Sequence, residues 1–455
     1  MANYFFGSNL IENLTTGMYT NSLVIFREYI QNSTDALDKA CADFLKADEG
    51  KIEITIDRAA RRITIEDNGT GIPVFDFKSK LTSIAASDKN LDNDRGFRGI
   101  GRLCGIAYCR ELRFTSKARG ESIQATMTVD AEKLRENFYG KEKIKASDAL
   151  DDSITFSTVT LDETDEHFFR VELIDIVDTN EDLLDVKKVR EYLSFVAPVD
   201  YSTQLYYQTQ IYEHAESLNF RIAKYKILVN GEPVVKNYKT DFKTTHNGSD
   251  EIFGVEFHDF FDAENNLIAW SWIGLSKFKG VIDQTGGTPD NLMRGIRLRA
   301  GNIQIGDAEA LKHLFNEARG TNYFIGEVHA VDKDLIPNGR RDYFVENESC
   351  KVFEAELKKY FAELHKIYHV ASDIRGLQKK IDAPAEAENE FKKKSAPYRK
   401  SHQAEHDIEV AKLKEAAKSA EKKFSSMRQD ATKDEASPLS RVVLRMIENT
   451  GGGGR

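Results

Sequence analysis

The chain is poor in cysteine, in long apolar runs and in excess positive charge, and each scarcity excludes a class of protein. Its four cysteines form no CxxC pair, so neither a zinc site built on cysteine nor a disulfide framework is predicted. No apolar run reaches the roughly 18 residues that a membrane span needs. The net charge of -10 argues against a surface that binds nucleic acid throughout, although a local basic groove stays compatible with it.

The N-terminus and the length give further expectations. The first residues, MANYFFGSNLIENL, lack the basic-then-apolar order of a secretory signal. Together with the cysteine usage, the lack of this order predicts a reduced, cytoplasmic compartment. At 455 residues the chain is too long for one core of ordinary size, and two or three domains are expected.

The first zone, to about residue 180, mixes helices with alternating strands. KIEITID and RRITIED place isoleucines on one face and read as a hairpin that turns at residues 57–60. SITFSTVTL and FFRVELIDI flank DETDEH, and we predict a second hairpin there. One sheet under interleaved helices, an α+β arrangement, follows from this order of elements.

The later zones change in character. Residues 185–382 alternate strands with a predicted helix at residues 307–318, and they close in a long apolar-striped helix. A third zone starts at the breaker run DAPAEAENE and is rich in Lys, Glu and Ala. Its apolar residues from Val410 to Met427 follow heptad spacing, which favours a coiled coil, a separately docked helix or an antiparallel neighbour. Ser437 and Pro438 then predict the start of a short amphipathic helix that packs on this chain or on a partner.

A polar stripe interrupts the apolar pattern of the helix in REYIQNSTDALDK. Glu28, Asn32 and Asp35 are spaced by four and three residues, so they share one face of an α-helix. Such a stripe is either a solvated surface or a site for a metal ion and water. The helix taken by itself does not distinguish the two.

The segment IEDNGTGIP follows a predicted strand. It places Asp67 at the carboxyl end of that strand, ahead of Gly69 and Gly71 in a tight turn. A carboxylate there can accept a hydrogen bond from the exocyclic amine of adenine, whereas guanine offers a carbonyl instead. The glycines would let a flat ligand approach the backbone. The alternative is a common turn.

A third segment, RGFRGIGRLCGIAYC, is rich in glycine and precedes a predicted helix. Its glycines at positions 96, 99 and 101 can present backbone N–H groups to phosphate. The segment does not match the Walker pattern, which ends in GK[ST]. By itself this glycine pattern has low specificity.

The order ExxxNxxDA, DxGxG and GxxGxG within one domain resembles the GHKL ATPase superfamily. That superfamily includes gyrase, the ninety-kilodalton heat-shock chaperones, histidine kinases, and MutL- and MORC-type proteins. The similarity is closest to the heat-shock chaperones and strongest over residues 5–120. It implies a Bergerat-fold ATP-binding α/β sandwich in residues 1–180, an α/β middle, transducer-like domain in residues 185–382, and a helical, coiled-coil tail in residues 383–455.

The resemblance also implies ATP and Mg²⁺ as ligands and a role for each polar group. An amide carbonyl ligates Mg²⁺ without adding negative charge beside a triphosphate, so Asn32 would be the metal ligand. Glu28 would polarise the attacking water as general base, and Asp35 would hold a metal-bound water or fix the position of the residues that ligate the ion. The expected nucleotide-binding residues are Asn32, Asp35, Asp67, Gly69, Gly71, Gly96, Arg98, Gly99, Ile100, Gly101 and Arg102.

A second resemblance covers FIGEVHAVDKDLIPNGRRDYF, which is similar to the middle segment of the heat-shock chaperones. It implies that Arg341 reaches the γ-phosphate and stabilises the transferring phosphoryl group as a second catalytic residue. Arg340 competes for this role. Gyrase- and MutL-like relatives use a lysine from their second domain, and Lys277 and Lys279 are the candidates under that alignment.

The chain departs from the heat-shock pattern in several places. Ala86 stands where the lid lysine is expected, and the large C-terminal dimerisation domain is not recognisable. A histidine kinase needs a phosphoacceptor histidine on a preceding helix, and the short segment before the first motif contains none. The sequence therefore predicts a Mg²⁺- and ATP-dependent conformational clamp that acts on a protein client. The alternatives are an ATP-responsive scaffold with little turnover and a DNA-engaging clamp, and the helical tail or the closed N-terminal domains would form a homodimer or partner contact.

Overall fold

Two large β-sheets form the frame of the chain, and a helical region follows them. The structure is a computed structural model, and it describes residues 21–82, 101–139, 146–245, 248–282 and 292–448. Between the strands of the eight-stranded sheet and those of the five-stranded sheet, the chain forms a small two-stranded ribbon. The predicted α+β class with a helical C-terminal region is confirmed.

The eight-stranded sheet has the order β5-β4-β3-β6-β2-β1-β7-β8. Neighbouring strands of this sheet run antiparallel, except that β1 and β7 are parallel. The strands are β1 (Lys51–Asp57), β2 (Arg62–Asp67), β3 (Cys109–Lys117), β4 (Ile123–Asp130), β5 (Ile154–Thr160), β6 (Phe168–Ile176), β7 (Lys226–Val229) and β8 (Glu232–Pro233).

The strand pairing confirms one predicted hairpin and shows that the other is wrong. β1 and β2 pair directly, with Ile54 opposite Ile65 and both side chains buried. β5 and β6 do not pair with each other, because β5 lies beside β4 whereas β6 lies between β3 and β2. The turn residues between two strands signal a reversal of the chain, but they do not determine which neighbour each strand takes.

Helices cover the eight-stranded sheet, and the first of them forms part of the main core. α1 buries Ile25, Tyr29 and Leu37 in the same apolar cluster as Ile54 and Ile65. The helices of this region are α1 (Val24–Asp43), α2 (Val74–Thr82), α3 (Ala131–Tyr139), α4 (Ala146–Ser153), α5 (Val186–Val196) and α6 (Gln208–Ser217), with 3-10 helices at Gly101–Ala107 and Asp178–Leu184.

The eight-stranded sheet extends past the domain boundary expected near residues 180–185. Ile52 of β1 pairs with Ile227 of β7 in a parallel register, so residues 226–233 complete the N-terminal sheet. The domain limits stay a prediction. β7 and β8, which follow the expected boundary, belong to the eight-stranded sheet and so hold the middle of the chain against it.

The five-stranded sheet has the order β11-β12-β15-β13-β14, and β13 and β15 are parallel. Its strands and those of the ribbon are β9 (Asp241–Thr244), β10 (Gly248–Glu251), β11 (Gly254–Phe261), β12 (Leu267–Leu275), β13 (Gly295–Ala300), β14 (Ile303–Ile305) and β15 (Ile325–Ala330). The helix predicted at residues 307–318 is wrong, because two short 3-10 helices, Lys312–Leu314 and Ala318–Tyr323, occupy this region. A short segment nucleates an α-helix poorly, and burial of Leu314 and Phe315 sets the conformation instead.

Three helices form the C-terminal region. α7 (Glu348–Lys393) and α8 (Ala396–Ala431) are long, and α9 (Pro438–Glu448) is short. The expected break at DAPAEAENE is wrong, because α7 continues through it with Pro384 buried inside the helix. Strong helix formers flank the proline, and α8 packs back along α7, as shown by a 2.9 Å contact between Lys414 and Glu388. Within the described part of the chain no helix is long and apolar enough to cross a membrane.

The short amphipathic helix predicted from Ser437 and Pro438 is confirmed as α9. The backbone N–H of Ser440 donates to the Ser437 hydroxyl oxygen at 3.2 Å, which is an N-cap contact. The apolar stripe of α9 joins the core that α7 and α8 share with the five-stranded sheet. Arg441 also contacts Glu256 of β11 at 2.9 Å. The apolar face of this helix is therefore covered within its own chain.

Candidate functional site

The polar stripe of α1 is buried. Glu28 is 6% exposed and Asp35 is 4% exposed, while Asn32 is half-buried. Carboxylates are rarely buried to this extent unless other groups hold them. A solvated surface stripe is thereby excluded, and the three side chains lie on one face of a helix whose other faces pack into the core.

Two arginines contact the Glu28 carboxylate at the same oxygen. The Arg27 guanidinium donates to Oε1 through Nη2 at 3.2 Å and through Nε at 3.3 Å. Nε of Arg341 lies 3.7 Å from this oxygen. Arg27 also donates from Nη2 to the main-chain carbonyl of Arg340 at 3.1 Å. Helix α1 is thus tied to a loop more than 300 residues away in sequence.

The loop that carries Arg341 holds that residue in an unusual backbone conformation. Arg341 has a φ of 55°, in the left-handed region that residues other than glycine seldom adopt. Its N–H donates to the Asn338 carbonyl at 3.1 Å, and its own carbonyl accepts from the Gly306 N–H at 2.8 Å. Its side chain is only 11% exposed. Strain that the surrounding hydrogen bonds maintain is a feature of functional loops.

The structure also places the competitors for the role of Arg341. Arg340 is exposed, and its carbonyl is the group that contacts Arg27. Lys277 donates to Glu251 at 3.0 Å, and the N–H of Lys279 donates to Asp250 at 3.0 Å. Among these four candidates, Arg341 is the one with a contact to Glu28. Its assignment as the phosphate sensor stays a prediction.

Asp67 ends β2 and is almost fully buried. Its Oδ1 accepts from the Gly69 N–H at 2.9 Å, and the Ser33 hydroxyl of α1 hydrogen-bonds its carboxyl group. Burial raises the pKa of Asp67 to about 7, while the hydrogen bonds from Ser33 and Gly69 act in the opposite direction. A buried carboxylate in this setting is a strong hydrogen-bond acceptor for a ligand amine.

Gly69 and Gly71 are required by the chain itself. A Cβ at Gly69 would lie 2.7 Å from Cβ of Ala36 on α1. Gly71 has a φ of 65°, and a Cβ there would lie 2.1 Å from the Lys117 carbonyl oxygen. Both approaches are too close for a side chain. The two glycines therefore let the turn pack against α1 and β3, which is a reason that the sequence interpretation did not include.

The glycine-rich segment is only partly described. Gly96, Arg98, Gly99 and Ile100 lie outside the described residues, as does the lid position Ala86. Gly101 starts the first 3-10 helix, and Arg102 follows it half-buried. Burial lowers the pKa of the Arg102 guanidinium from its ordinary value, although arginine remains a cation at neutral pH.

Three residues of α1 that contact the predicted site residues were missed. The Tyr29 hydroxyl donates to the Arg102 carbonyl at 3.0 Å and accepts from the Gly105 N–H at 3.1 Å, so it fixes the 3-10 helix. Arg27 holds Glu28, and Ser33 holds Asp67. Each is the immediate sequence neighbour of a stripe residue. Their position beside a residue of the polar stripe was the available signal.

The N-terminal region matches a known family. Residues 19–160 match the family described as histidine kinase-, DNA gyrase B-, and HSP90-like ATPase. They contain α1 and its polar stripe, Asp67, the two turn glycines and the glycine-rich segment. Residues 19–160 form a GHKL-type ATPase domain.

Curated relatives are also similar to part of the chain. Chaperone protein HtpG of Orientia tsutsugamushi is 27% identical over 191 residues, which are 37% of this chain and 29% of that protein. HtpG of a Sulfurovum species is 25% identical over 270 residues, or 53% of this chain and 40% of that protein. HtpG of Chlorobaculum tepidum is 35% identical over 85 residues, or 17% and 14%. The chain therefore spans well under half the length of these relatives.

The buried carboxyl group of the GHKL domain gives a prediction for Asp67→Asn. Because the folded-state pKa of about 7 exceeds the unfolded value, Asp67 stabilises the fold fully below about pH 4, and that stability is lost as pH rises through 7. At pH 8.5 the ionised group costs on the order of 4 kcal/mol. The amide variant should therefore unfold at higher denaturant than wild type at pH 8.5.

The same variant should differ little from wild type at pH 4.5, and it should lose adenine-nucleotide binding at both pH values. Asp43→Asn, on the exposed end of α1, is the matched control and should leave the pH profile of the unfolding midpoint unchanged. Parallel pH profiles for wild type and Asp67→Asn would contradict the assignment of a raised pKa to Asp67.

Proposed function

We propose that the chain is an ATP-driven conformational clamp, which binds ATP with Mg²⁺ in its GHKL domain and hydrolyses it to ADP and phosphate. The single observation that carries the proposal is the buried contact between Glu28 and Arg341, whose nearest side-chain atoms are 3.7 Å apart. A candidate base and a candidate phosphate-sensing cation, which are more than 300 residues apart in sequence, contact each other. General-base and electrostatic catalysis of phosphoryl transfer needs this pair of groups.

The residues present fit an adenine nucleotide and a hard cation. Asp67 supplies a buried acceptor for the adenine amine. Asn32 and Asp35 supply an amide oxygen and a carboxylate oxygen on the same helical face, which is the donor chemistry that Mg²⁺ selects. Asn32 would hold the ion directly, and Asp35 would hold a water bound to it. The ion would supply neutralisation of the phosphate charge.

Arg27 gives Glu28 a resting arrangement. Arg27 and Arg341 both contact Oε1, so these two cations compete with a water molecule for this oxygen. Movement of Arg341 to a nucleotide phosphate would remove one of these contacts. Arg102 and the backbone N–H groups of the glycine-rich segment would oppose the remaining phosphate charge. Turnover is then gated by rearrangement of the loop and is slow.

ATP binding in such a protein orders one conformation, and hydrolysis resets it. The relatives are named chaperone proteins, and we propose that the clamp likewise closes on a protein client. The apolar face of α9 is already covered. A homodimer would therefore use other surfaces of α7 and α8 or the nucleotide-closed N-terminal domains.

Replacement of Arg341 tests the proposal. Arg341→Gly removes the guanidinium and, because the position has a positive φ, also relieves backbone strain. We expect the turnover number for ATP to fall by about 10²-fold or more, since one transition-state cation is lost. Stability to denaturant should be equal to or slightly above that of wild type. Steady-state phosphate release and a denaturant titration measure the two quantities.

Arg340→Ala is the matched control for Arg341→Gly. The side chain of Arg340 is exposed, and its contact with Arg27 runs through the main chain, so turnover should stay within about twofold of wild type. The opposite pattern, with Arg340→Ala inactive and Arg341→Gly active, would transfer the sensing role to Arg340 and refute the assignment made here.

The double arginine contact on Glu28 also favours one alternative, an ATP-responsive scaffold with little turnover. In that case the two ion pairs would hold Glu28 permanently. Arg27→Ala separates the two possibilities, because release of Oε1 would raise the basal turnover of a clamp. It would leave a scaffold without measurable hydrolysis.

A further inference from the structure

A cluster of metal-ligating side chains lies outside the GHKL domain, on the first half of α7. His365 and His369 are spaced by four residues, so they share one face of the helix. Glu317, from the segment between the 3-10 helices Lys312–Leu314 and Ala318–Tyr323, approaches both imidazoles. The three side chains come from two separate elements, and no residue of the proposed ATPase site takes part.

The distances within this cluster suit a small cation. The two imidazole Nε2 atoms are 2.8 Å apart. Oε1 of Glu317 lies 3.9 Å from Nε2 of His365 and 3.7 Å from Nε2 of His369. A point equidistant from three atoms at these separations is about 2 Å from each, which matches Zn–N and Zn–O bond lengths. Widening of the imidazole pair by about half an ångström would give a tetrahedral angle between them.

Neighbouring groups hold the carboxylate in place. Nε of Arg319 donates to Oε2 of Glu317 at 2.9 Å, which leaves Oε1 directed at the imidazoles. The hydrogen bond from Arg319 lowers the pKa of Glu317 below its ordinary value, so the group is an anion at neutral pH. A ligating carboxylate that is itself hydrogen-bonded is typical of protein metal sites.

The exposure of the cluster allows an ion to enter and leave. The side chains of His369 and Glu317 are 47% and 36% exposed, whereas that of His365 is 18% exposed. Three protein ligands open to solvent leave a fourth position for water, unlike the closed four-ligand sites that have purely structural roles. Imidazole and carboxylate together favour zinc-class transition ions over Mg²⁺ or Ca²⁺, which select oxygen ligands.

We propose that Glu317, His365 and His369 bind one divalent transition-metal ion of the zinc class and thereby fasten α7 to the segment before β15. The four cysteines, which lack zinc-site spacing, are not involved. An ion here would link α7 to the segment before β15, in addition to the apolar core that α7 already shares with the five-stranded sheet. Reversible occupancy would make the strength of this contact, and the stability that it adds, depend on metal concentration.

The test uses the full chain without an affinity tag, after treatment with EDTA and removal of the chelator. Zn²⁺ is titrated by calorimetry in competition with a chelator of known affinity, and Co²⁺ is followed by its visible d–d absorption. We expect one ion per chain at this site, a Co²⁺ spectrum of tetrahedral intensity, and a higher unfolding temperature with Zn²⁺. His369→Ala and Glu317→Gln should each weaken binding by about tenfold or more, and each should abolish the Zn²⁺-dependent rise in unfolding temperature.

His313→Ala is the matched control. His313 forms a similar pair with Glu354 at 3.6 Å. Among the described residues, however, His313 belongs to no group of three metal-ligating side chains, so this variant should bind Zn²⁺ as wild type does. Equal Zn²⁺ affinity and equal Co²⁺ spectra for wild type and the His365→Ala/His369→Ala double variant would overturn the proposal. Because every readout is metal binding or stability, the result is independent of ATP hydrolysis.

Discussion

Glu28→Gln is expected to reduce the turnover number for ATP by about 10²–10⁴-fold, the usual contribution of a general base. The amide keeps the size of the side chain, and its carbonyl can still accept hydrogen bonds from Arg27 and Arg341. It cannot take a proton from water. Because the adenine acceptor Asp67 and the metal ligand Asn32 are untouched, ATP affinity should stay within a few-fold of wild type.

Two measurements check this result together, namely phosphate release under saturating ATP and equilibrium binding of a fluorescent ATP analogue in the same magnesium buffer. Glu53→Gln, an exposed change on neighbouring β1, is the matched control and should leave both quantities unchanged. If Glu28→Gln hydrolysed ATP as fast as wild type, Glu28 would not be the base, and another group would have to activate the water.

Glu327→Gln is expected to cause the largest loss of stability, about 3–5 kcal/mol. Glu327, Lys236 and Arg299 are completely buried. The carboxylate lies 2.9 Å from Lys236 Nζ and 2.5 Å from an Arg299 guanidinium nitrogen, and it accepts from the Tyr201 hydroxyl at 2.6 Å. Without its negative charge, the Arg299 guanidinium would remain in the core without this anion, and Lys236 would lose the partner that favours its charged form.

The protonation behaviour of this cluster shows how strongly its members depend on one another. Burial opposes ionisation of Glu327, but Arg299 and Lys236 together outweigh it, and the pKa of the carboxyl group lies well below its ordinary value. Burial and the neighbouring Arg299 lower the pKa of Lys236 to about 7. The cluster also links the five-stranded sheet to α5, because Arg299 of β13 donates to the carbonyl of Phe195 at the end of that helix.

The stability of Glu327→Gln is measured by urea unfolding at pH 7, with the exposed Glu309→Gln as control. The Glu327→Gln/Lys236→Met double variant should be more stable than Glu327→Gln alone, since the buried amine that has lost its carboxylate partner is replaced by an apolar side chain. A change of less than about 1 kcal/mol in Glu327→Gln would show that the cluster does not support the junction between the five-stranded sheet and α5.

The sequence predicts those features that depend on local periodicity. The β1–β2 hairpin, the buried stripe of α7 and the capped helix at Ser437 all follow from the spacing of apolar residues, and the structure has each of them. Pairing of distant strands is not encoded locally. For that reason the placement of β5 beside β4, and of β7 beside β1, could not be predicted from turn residues.

In the candidate site, too, the features that depend on local spacing could be predicted and those that depend on distant contacts could not. The spacing of Glu28, Asn32 and Asp35 predicts a shared helical face, but only tertiary packing decides that this face is buried. The contact between Arg341 and Glu28 joins residues more than 300 positions apart; family resemblance predicted only that Arg341 reaches a nucleotide phosphate, not this contact. Pro384 inside α7 shows that partner-helix packing can override a local breaker. Arg27 and Ser33 were missed because their roles exist only through such contacts.

The measurement that tests the central claim most directly is ATP binding and hydrolysis by the wild-type chain, followed in one buffer with Mg²⁺ and then with excess EDTA. Asp67→Asn, prepared identically, measures background hydrolysis, because it should neither bind nor turn over ATP. The account predicts that wild type binds ATP and releases phosphate slowly, above that background and only with Mg²⁺. Failure of the folded wild-type chain to bind ATP, or hydrolysis equal to that of Asp67→Asn, would contradict it.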